Sequence, residues 1–130
     1  TETGEMGLFK SYKEGYEDGG QLRDFVYVKD ICKVIRYMIE HEEVSGLFNL
    51  GTGQARSFYD LAASTFRAMG LEPNIKYVEM PETLRAKYQY YTQANMEKLR
   101  SVGYTDAFYS LEDGAKDYVQ NYLMKNYEIY

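Results

Sequence analysis

The chain has 130 residues, 45% of them hydrophobic and 27% charged, the proportions of one globular unit with a modest core. Its net charge of -5 argues against a nucleic-acid surface, which needs a basic stripe, yet a few local cations suffice for one anionic ligand such as a diphosphate. A single cysteine, Cys32, and a single histidine, His41, leave no material for a disulfide framework or a Cys/His metal site, and a reducing cytoplasm fits.

No apolar run approaches the roughly 20 residues of a membrane span, so no membrane role is expected. The opening Thr1-Glu2-Thr3-Gly4-Glu5 has neither the basic nor the apolar stretch of a signal peptide. The composition is unusual in tyrosine, with 15 Tyr and no Trp. Tyrosine joins an aromatic face to a hydroxyl, which suits contact with bases and sugars. Composition alone nevertheless favours an ordinary tyrosine-rich core and surface.

In chain order, residues 7–10 read as a short strand and residues 14–21 as a glycine-bearing loop. Residues 24–28 read as a second strand, with Phe25, Val26, Tyr27 and Val28 in succession. Asp30 stands where a helix N-cap belongs, and Ile31, Val34, Ile35, Met38 and Ile39 follow with helical spacing. Ser45-Gly46 ends that unit, and residues 47–50 form an apolar strand running into Gly51-Thr52-Gly53.

Ser57 caps a second helix, with Asp60 in the capping-box position. Its face is Phe58, Leu61, Ala62, Thr65, Phe66 and Met69, and Gly70 is its stop. Residues 75–79 make a strand ended by Pro81. Thr92 is placed to cap a short helix bearing Met96 and Leu99, with Gly103 past its end. Ser110 caps the last helix, whose face is Leu111, Ala115, Tyr118, Val119 and Tyr122. Strands alternating with helices are an α/β rhythm. The sheet is thin for so many apolar helix faces, so the sequence reads as a piece of something larger.

Three segments could carry chemistry. Arg23 precedes the strand at 24–28. An arginine anchored there can grip a phosphate through two parallel hydrogen bonds, or it can pair with Asp24 or Asp30 and tie strand to helix. Gly51-Thr52-Gly53 lets backbone approach a ligand, but a tight strand-to-helix connection is the better reading. It is no dinucleotide fingerprint, since Arg56 stands where the third glycine would be. The stretch Pro81-Glu82-Thr83-Leu84-Arg85-Ala86-Lys87-Tyr88-Gln89-Tyr90-Tyr91-Thr92 sets two cations beside three tyrosines. It can hold a nucleotide by stacking and charge, or it is a solvated loop with its rings folded inward. No Tyr-x-x-x-Lys occurs in the chain. His41, between two glutamates at a helix end, reads as a solvated terminus, and Cys32, with no neighbouring base, as a structural thiol.

Together these segments resemble the ADP-heptose 6-epimerase family of extended short-chain dehydrogenases/reductases, in its C-terminal portion. Arg23-Asp24-Phe25-Val26-Tyr27-Val28 is shared across many extended reductases. Leu8-Phe9-Lys10-Ser11-Tyr12 and Tyr88-Gln89-Tyr90-Tyr91-Thr92-Gln93-Ala94 are narrower signals, supported by Phe48-Asn49-Leu50-Gly51-Thr52-Gly53 and Gly103-Tyr104.

The resemblance implies residues 1–130 as one incomplete substrate-binding unit of a Rossmann-type α/β fold, with a small sheet and about four helices. It implies an isomerase that inverts C6″ of an ADP-sugar by NADP-dependent oxidation and reduction, for lipopolysaccharide inner-core synthesis. It places Phe9, Lys10, Ser11, Tyr12, Arg23 and Tyr88 against the sugar nucleotide, with Arg23 on the diphosphate. The NADP loop and the catalytic Tyr/Lys pair belong upstream of Thr1, so no catalytic or cofactor-binding residue is expected here. The expected partners are the ADP-sugar and either that N-terminal domain or a second copy. The competing readings are a stand-alone nucleotide-sugar binding module and a piece of a UDP- or dTDP-sugar epimerase or dehydratase.

Overall fold

A computed structural model describes residues 4–125, so residues 1–3 of the opening pentapeptide lie outside it. Two short ladders and five helices make up a mixed α/β arrangement. β1 (Met6–Phe9) and β4 (Ile75–Val78) pair in parallel, from Met6 opposite Ile75 to Phe9 opposite Val78. A parallel pair needs a long crossover connection, and everything from the glycine loop to α2 lies within it. β2 (Leu22–Arg23) pairs antiparallel with β3 (Arg56–Ser57), and Leu22 also bridges to Tyr91.

The strand expected at residues 24–28 is shorter and earlier. Pairing stops at Arg23 because β3 offers only two residues, and residues 24–27 run irregularly into α1 (Val28–Glu40). Asp30 is accordingly not the N-cap. Tyr27 holds that position without a side-chain cap bond. Asp30 lies in the first turn, fully buried, accepting from the Tyr109 N–H at 2.8 Å and Lys33 Nζ at 3.1 Å.

Of the five-residue apolar face read on α1, only Val34 is buried, while Ile35 is 52% and Ile39 70% exposed. Val34 joins Met96, Leu99 and Tyr104 in a small core, flanked by Tyr37, Met38 and Phe48. The Tyr37 hydroxyl donates to the Val102 carbonyl at 2.7 Å. The polar flank of α1 faces α5 instead: Lys29 Nζ meets Asp117 at 2.7 Å, and so does the Tyr27 hydroxyl, at 2.6 Å. Residues 47–50, expected as a strand, are irregular, and Leu47 is 87% exposed. β-rich composition makes no strand without a partner to complete its hydrogen bonds.

α2 (Phe58–Ala68) starts as its sequence requires. The Asp60 N–H donates to Ser57 Oγ at 2.9 Å and the Ser57 N–H returns to Asp60 Oδ2 at 3.2 Å. Ala62, Ala63, Phe66 and Ala68 are buried, and α2 packs on α5 (Leu111–Asn121), where Gly114 and Val119 are buried. Burying one phenylalanine is worth about 1.5–3 kcal/mol, so Phe66 anchors this pair. A Cβ on Gly114 would stand 3.2 Å from Tyr27 Cβ, and the missing side chain lets α5 lie close against Tyr27. Ser110 caps α5 as expected, accepting the Asp113 N–H at 3.0 Å.

Two further differences concern the middle of the chain. A single helical turn, α3 (Glu82–Arg85), occupies part of the segment read as a loop, and brings the helices to five. α4 (Glu97–Ser101) is preceded by Met96 rather than capped by Thr92. The Thr92 N–H is already taken by the Leu22 carbonyl at 3.2 Å, while the Asn95 side chain accepts the Glu97 N–H at 2.9 Å.

Candidate functional site

The residues singled out from the sequence come together where β1 ends, β2 passes and the tyrosine-rich segment crosses them. The Phe9 carbonyl accepts from the Gly19 N–H at 3.0 Å and from Gln21 Nε2 at 3.3 Å, and the same amide reaches the Lys10 carbonyl at 3.2 Å. Gln21 is 1% exposed, so a buried amide fixes the start of the 9–12 segment from below. The Tyr12 N–H donates to the hydroxyl of buried Tyr90 at 2.9 Å. Leu22 completes the frame, its N–H donating to the Tyr90 carbonyl at 2.8 Å. Tyr90 and Gln21 position this site, and neither was identified from the sequence, because nothing local distinguishes a framing tyrosine or glutamine from a surface one.

Arg23 lies half-buried between rings, its guanidinium carbon 5.4 Å from the Tyr88 centroid and 5.8 Å from that of Phe58. It donates to the Leu22 carbonyl at 2.7 Å and to the Gln89 carbonyl. Among the described residues it pairs with no carboxylate, so the tie to Asp24 or Asp30 is not made. Tyr88 sits edge-on to Phe9, centroids 6.2 Å apart, and to Tyr90 at 5.5 Å. Its hydroxyl has no hydrogen-bond partner among the described residues. Phe9, Arg23 and Tyr88 thus adjoin one another, with a cation and a hydroxyl available.

The remaining expected contacts are more engaged. Lys10 Nζ meets Glu79 at 2.7 Å, which raises the lysine's pKa and lowers the glutamate's. Ser11 Oγ donates to the Lys13 carbonyl at 3.1 Å and the Ser11 N–H to Asp18 at 2.7 Å, shaping a turn. The Tyr12 ring carries the Arg85 guanidinium at 3.8 Å, and Arg85 Nη2 donates to the Tyr12 hydroxyl at 3.1 Å. Arg85 Nε reaches the Met80 carbonyl at 2.8 Å, and Glu79 lies 3.6 Å from its Nη2. The cation-tyrosine pattern at 85–92 did point towards Arg85, without assigning it a place.

Beside Arg23, the Asp24 carboxylate turns the other way. Oδ1 accepts the Thr52 N–H at 2.7 Å and the Thr52 hydroxyl at 2.5 Å, while Oδ2 accepts the Gly53 N–H at 2.9 Å and the Ala94 N–H at 3.0 Å. Burial pushes this carboxyl up, but the Thr52 hydroxyl and the three N–H groups outweigh burial and hold it below the usual carboxylate range. The glycine turn is therefore a tight internal junction. Its N–H groups, of the kind that bind phosphate in nucleotide loops, are occupied by a carboxylate of the same chain. The turn does not fit a cofactor pyrophosphate.

The two lone candidates lie elsewhere. His41 is at the end of α1, stacked 4.2 Å from Tyr37 and 3.0 Å from Glu43. Cys32 is exposed on α1, not packed as a structural thiol. No helix among the described residues is long and apolar enough to cross a membrane.

Residues 6–51 match the model of the NAD dependent epimerase/dehydratase family. The fold resembles that of dTDP-glucose 4,6-dehydratase from Bacillus anthracis, solved in complex with NAD. The TM-score is 0.71 at 23% identity, over 97% of this chain and 36% of that one, a likeness of fold alone. Over residues 6–51 the chain is thus similar to the NAD dependent epimerase/dehydratase family. It is also 53% identical to the ADP-L-glycero-D-manno-heptose-6-epimerase of Fusobacterium nucleatum, over 95% of this chain and 39% of that protein. The solved Helicobacter pylori ADP-L-glycero-D-manno-heptose-6-epimerase is 29% identical with a TM-score of 0.65, over 90% of this chain and 32% of that one. The chain thus spans well under half the length of the relatives it matches.

Proposed function

We propose that residues 1–130 are the sugar-nucleotide-binding part, C-terminal in the family, of an ADP-L-glycero-D-manno-heptose 6-epimerase. In the working enzyme this part is joined to one that holds NADP and carries the catalytic tyrosine and lysine. The carrying observation is Arg23, a half-buried guanidinium between two aromatic rings with no carboxylate on it. A fork held by backbone carbonyls is pre-organised for a diphosphate, whose oxygens it meets in pairs. Phe9 packs beside the nucleotide, Tyr88 offers its free hydroxyl, and the segment Lys10, Ser11 and Tyr12 lines the approach. The supporting comparison is the 53% identity with an epimerase of that name.

The redox chemistry belongs to NADP, and no step of it is assigned to a residue here. What this part does is bind and orient the ADP-sugar. Alone it turns over no substrate. The exposed apolar line of Val28, Ile35 and Ile39 on α1, with Leu47 in the unpaired segment 47–50, supports its covering by the remaining part of the enzyme. The product serves lipopolysaccharide inner-core synthesis in the cytoplasm.

A thermal unfolding titration with ADP-mannose, with UDP-glucose as control, tests the reading. A ligand bound only by the folded state adds about 2.7 kcal/mol at a hundredfold excess over its Kd. The midpoint should rise with the ADP-sugar and stay fixed with the UDP-sugar. A rise with UDP-glucose alone would move the assignment to a UDP-sugar enzyme. No rise with either ligand removes the claim that this part binds by itself.

A further inference from the structure

The four hydrogen bonds on Asp24 connect three segments that are remote in sequence: β2, the Gly51-Thr52-Gly53 turn and the end of the tyrosine-rich run at Ala94. Arg23, its neighbour at the end of β2, rests its guanidinium on the Gln89 carbonyl and beside the Tyr88 ring. Where that carbonyl and that ring stand depends on how the 88–94 run is held against β2. Leu22 holds it at one point, through Tyr90 and Thr92. Asp24 holds it at the other, through Ala94.

Three of the four groups on Asp24 are backbone N–H donors, and the fourth, the Thr52 hydroxyl, can also accept. An asparagine would set its NH2 against the Gly53 and Ala94 N–H groups in one orientation and against the Thr52 N–H in the other. The space is closed as well. A Cβ on Gly51 would stand 2.5 Å from Asp24 Oδ2 and 2.7 Å from Ala94 Cβ. The carboxylate is therefore required by charge and confined by shape.

We infer that Asp24 is a positioning residue for the proposed sugar-nucleotide site: it clamps the 88–94 run and the glycine turn to β2, and so sets Tyr88 and the Gln89 carbonyl around the Arg23 guanidinium. The inference rests on the reading of Arg23 and Tyr88 as ligand contacts. It makes Asp24 a determinant of ligand affinity without contact to ligand.

The test uses the 130-residue chain and two readouts. In the first, Asp24→Asn should weaken ADP-mannose binding about tenfold or more, and Thr52→Val, which removes one of the four donors, should weaken it less. Val119→Ala, buried on α5 in the helix pair with α2, should lower the unfolding midpoint while changing affinity no more than about twofold. In an Arg23→Ala background, Asp24→Asn should add no more than about twofold, because its effect passes through Arg23. The inference is overturned if Asp24→Asn lowers affinity no more than Val119→Ala does. It is equally overturned if the loss is undiminished without Arg23.

The second readout needs no ligand: the Nε–Hε resonance of Arg23 in an arginine-labelled sample. Asp24→Asn and Thr52→Val should both shift or broaden it, and Val119→Ala should leave it in place. An unmoved resonance sinks the inference whatever the binding data. A parent chain that binds no ADP-mannose counts against the proposed function, and the resonance then decides the positioning role separately. If Asp24→Asn does not fold, Thr52→Val carries both comparisons.

Discussion

Replacing Gly51 by alanine probes the junction around Asp24 without removing any polar group. The backbone at Gly51 has no positive φ, so alanine is allowed there and should gain about 0.4–1 kcal/mol by restricting the unfolded chain. Against that gain stands the added Cβ, which would meet Asp24 Oδ2 at 2.5 Å, Ala94 Cβ at 2.7 Å and Asp24 Cγ at 2.8 Å. None of these is the free end of a flexible side chain, since the carboxylate is fixed by four hydrogen bonds and Ala94 has only its Cβ.

Overpacking of this kind costs about 1–3 kcal/mol. If Asp24 swings aside instead, each hydrogen bond to the carboxylate that breaks costs about 1.5–3 kcal/mol. The net loss is about 1–2 kcal/mol, a fall of roughly 3–8 °C in Tm for a chain of this length. Thermal unfolding followed by circular dichroism measures it directly. In an Asp24→Ala background the same substitution should cost less, because most of the crowding atoms have gone. A Tm unchanged or raised by Gly51→Ala would refute the packing described around Asp24.

Arg23→Lys keeps the charge and loses the fork, and should weaken ADP-mannose binding about tenfold or more by calorimetry; equal binding would remove the bidentate role. Ser57→Ala and Ser110→Ala should each lower stability by about 1 kcal/mol, with Ser57→Ala the costlier because its capping bonds are reciprocal. The Lys29 ammonium, followed by the Tyr27 hydroxyl and Asn121, holds the Asp117 carboxyl down to about 2. The folded state therefore binds that proton less readily than the unfolded state, so the contribution is whole above the ordinary carboxylate pKa of about 3.8 and is lost as the pH falls towards 2. Denaturant titrations between those pH values should show this loss in the parent and a smaller one in Asp117→Asn; identical slopes would mean that α1 and α5 are not tied there.

Where a rule of chain geometry depends on a few adjacent residues, the sequence reading succeeds. Ser57 and Ser110 cap their helices as read, because a capping bond spans three residues. It fails where the partner is remote. Residues 47–50 have strand composition, but a strand exists only when another segment takes its hydrogen bonds. Thr92 has the chemistry of a cap, but the helix begins only at Glu97, whose N–H the Asn95 side chain accepts. Asp30 likewise is drawn inwards by Tyr109 in a segment far along the chain. At the site, Arg23 and Tyr88 were legible as chemistry, while the frame of Gln21, Tyr90 and Asp24 was not. A framing residue is defined by where it reaches, not by what it is.

The disposition of charge bears on how a chain of net charge -5 would receive the diphosphate proposed for it. Long-range attraction is not available to it, so the ligand must be won locally, by a cation whose charge is not already spent. Lys29 faces Asp117, Lys33 faces Asp30, Lys10 faces Glu79, and Arg56 faces both Asp60 and Glu112. Arg23 rests on carbonyls and rings instead. The nearest acid in sequence, Asp24, is kept from it by four donors that fill both of its oxygens. The same four bonds therefore act twice: they occupy the N–H groups of the glycine turn, and they satisfy within the chain the carboxylate next to the arginine. An anion arriving at this surface would meet, in Arg23, a guanidinium oriented by the Leu22 and Gln89 carbonyls between Tyr88 and Phe58, with no carboxylate paired to it among the described residues.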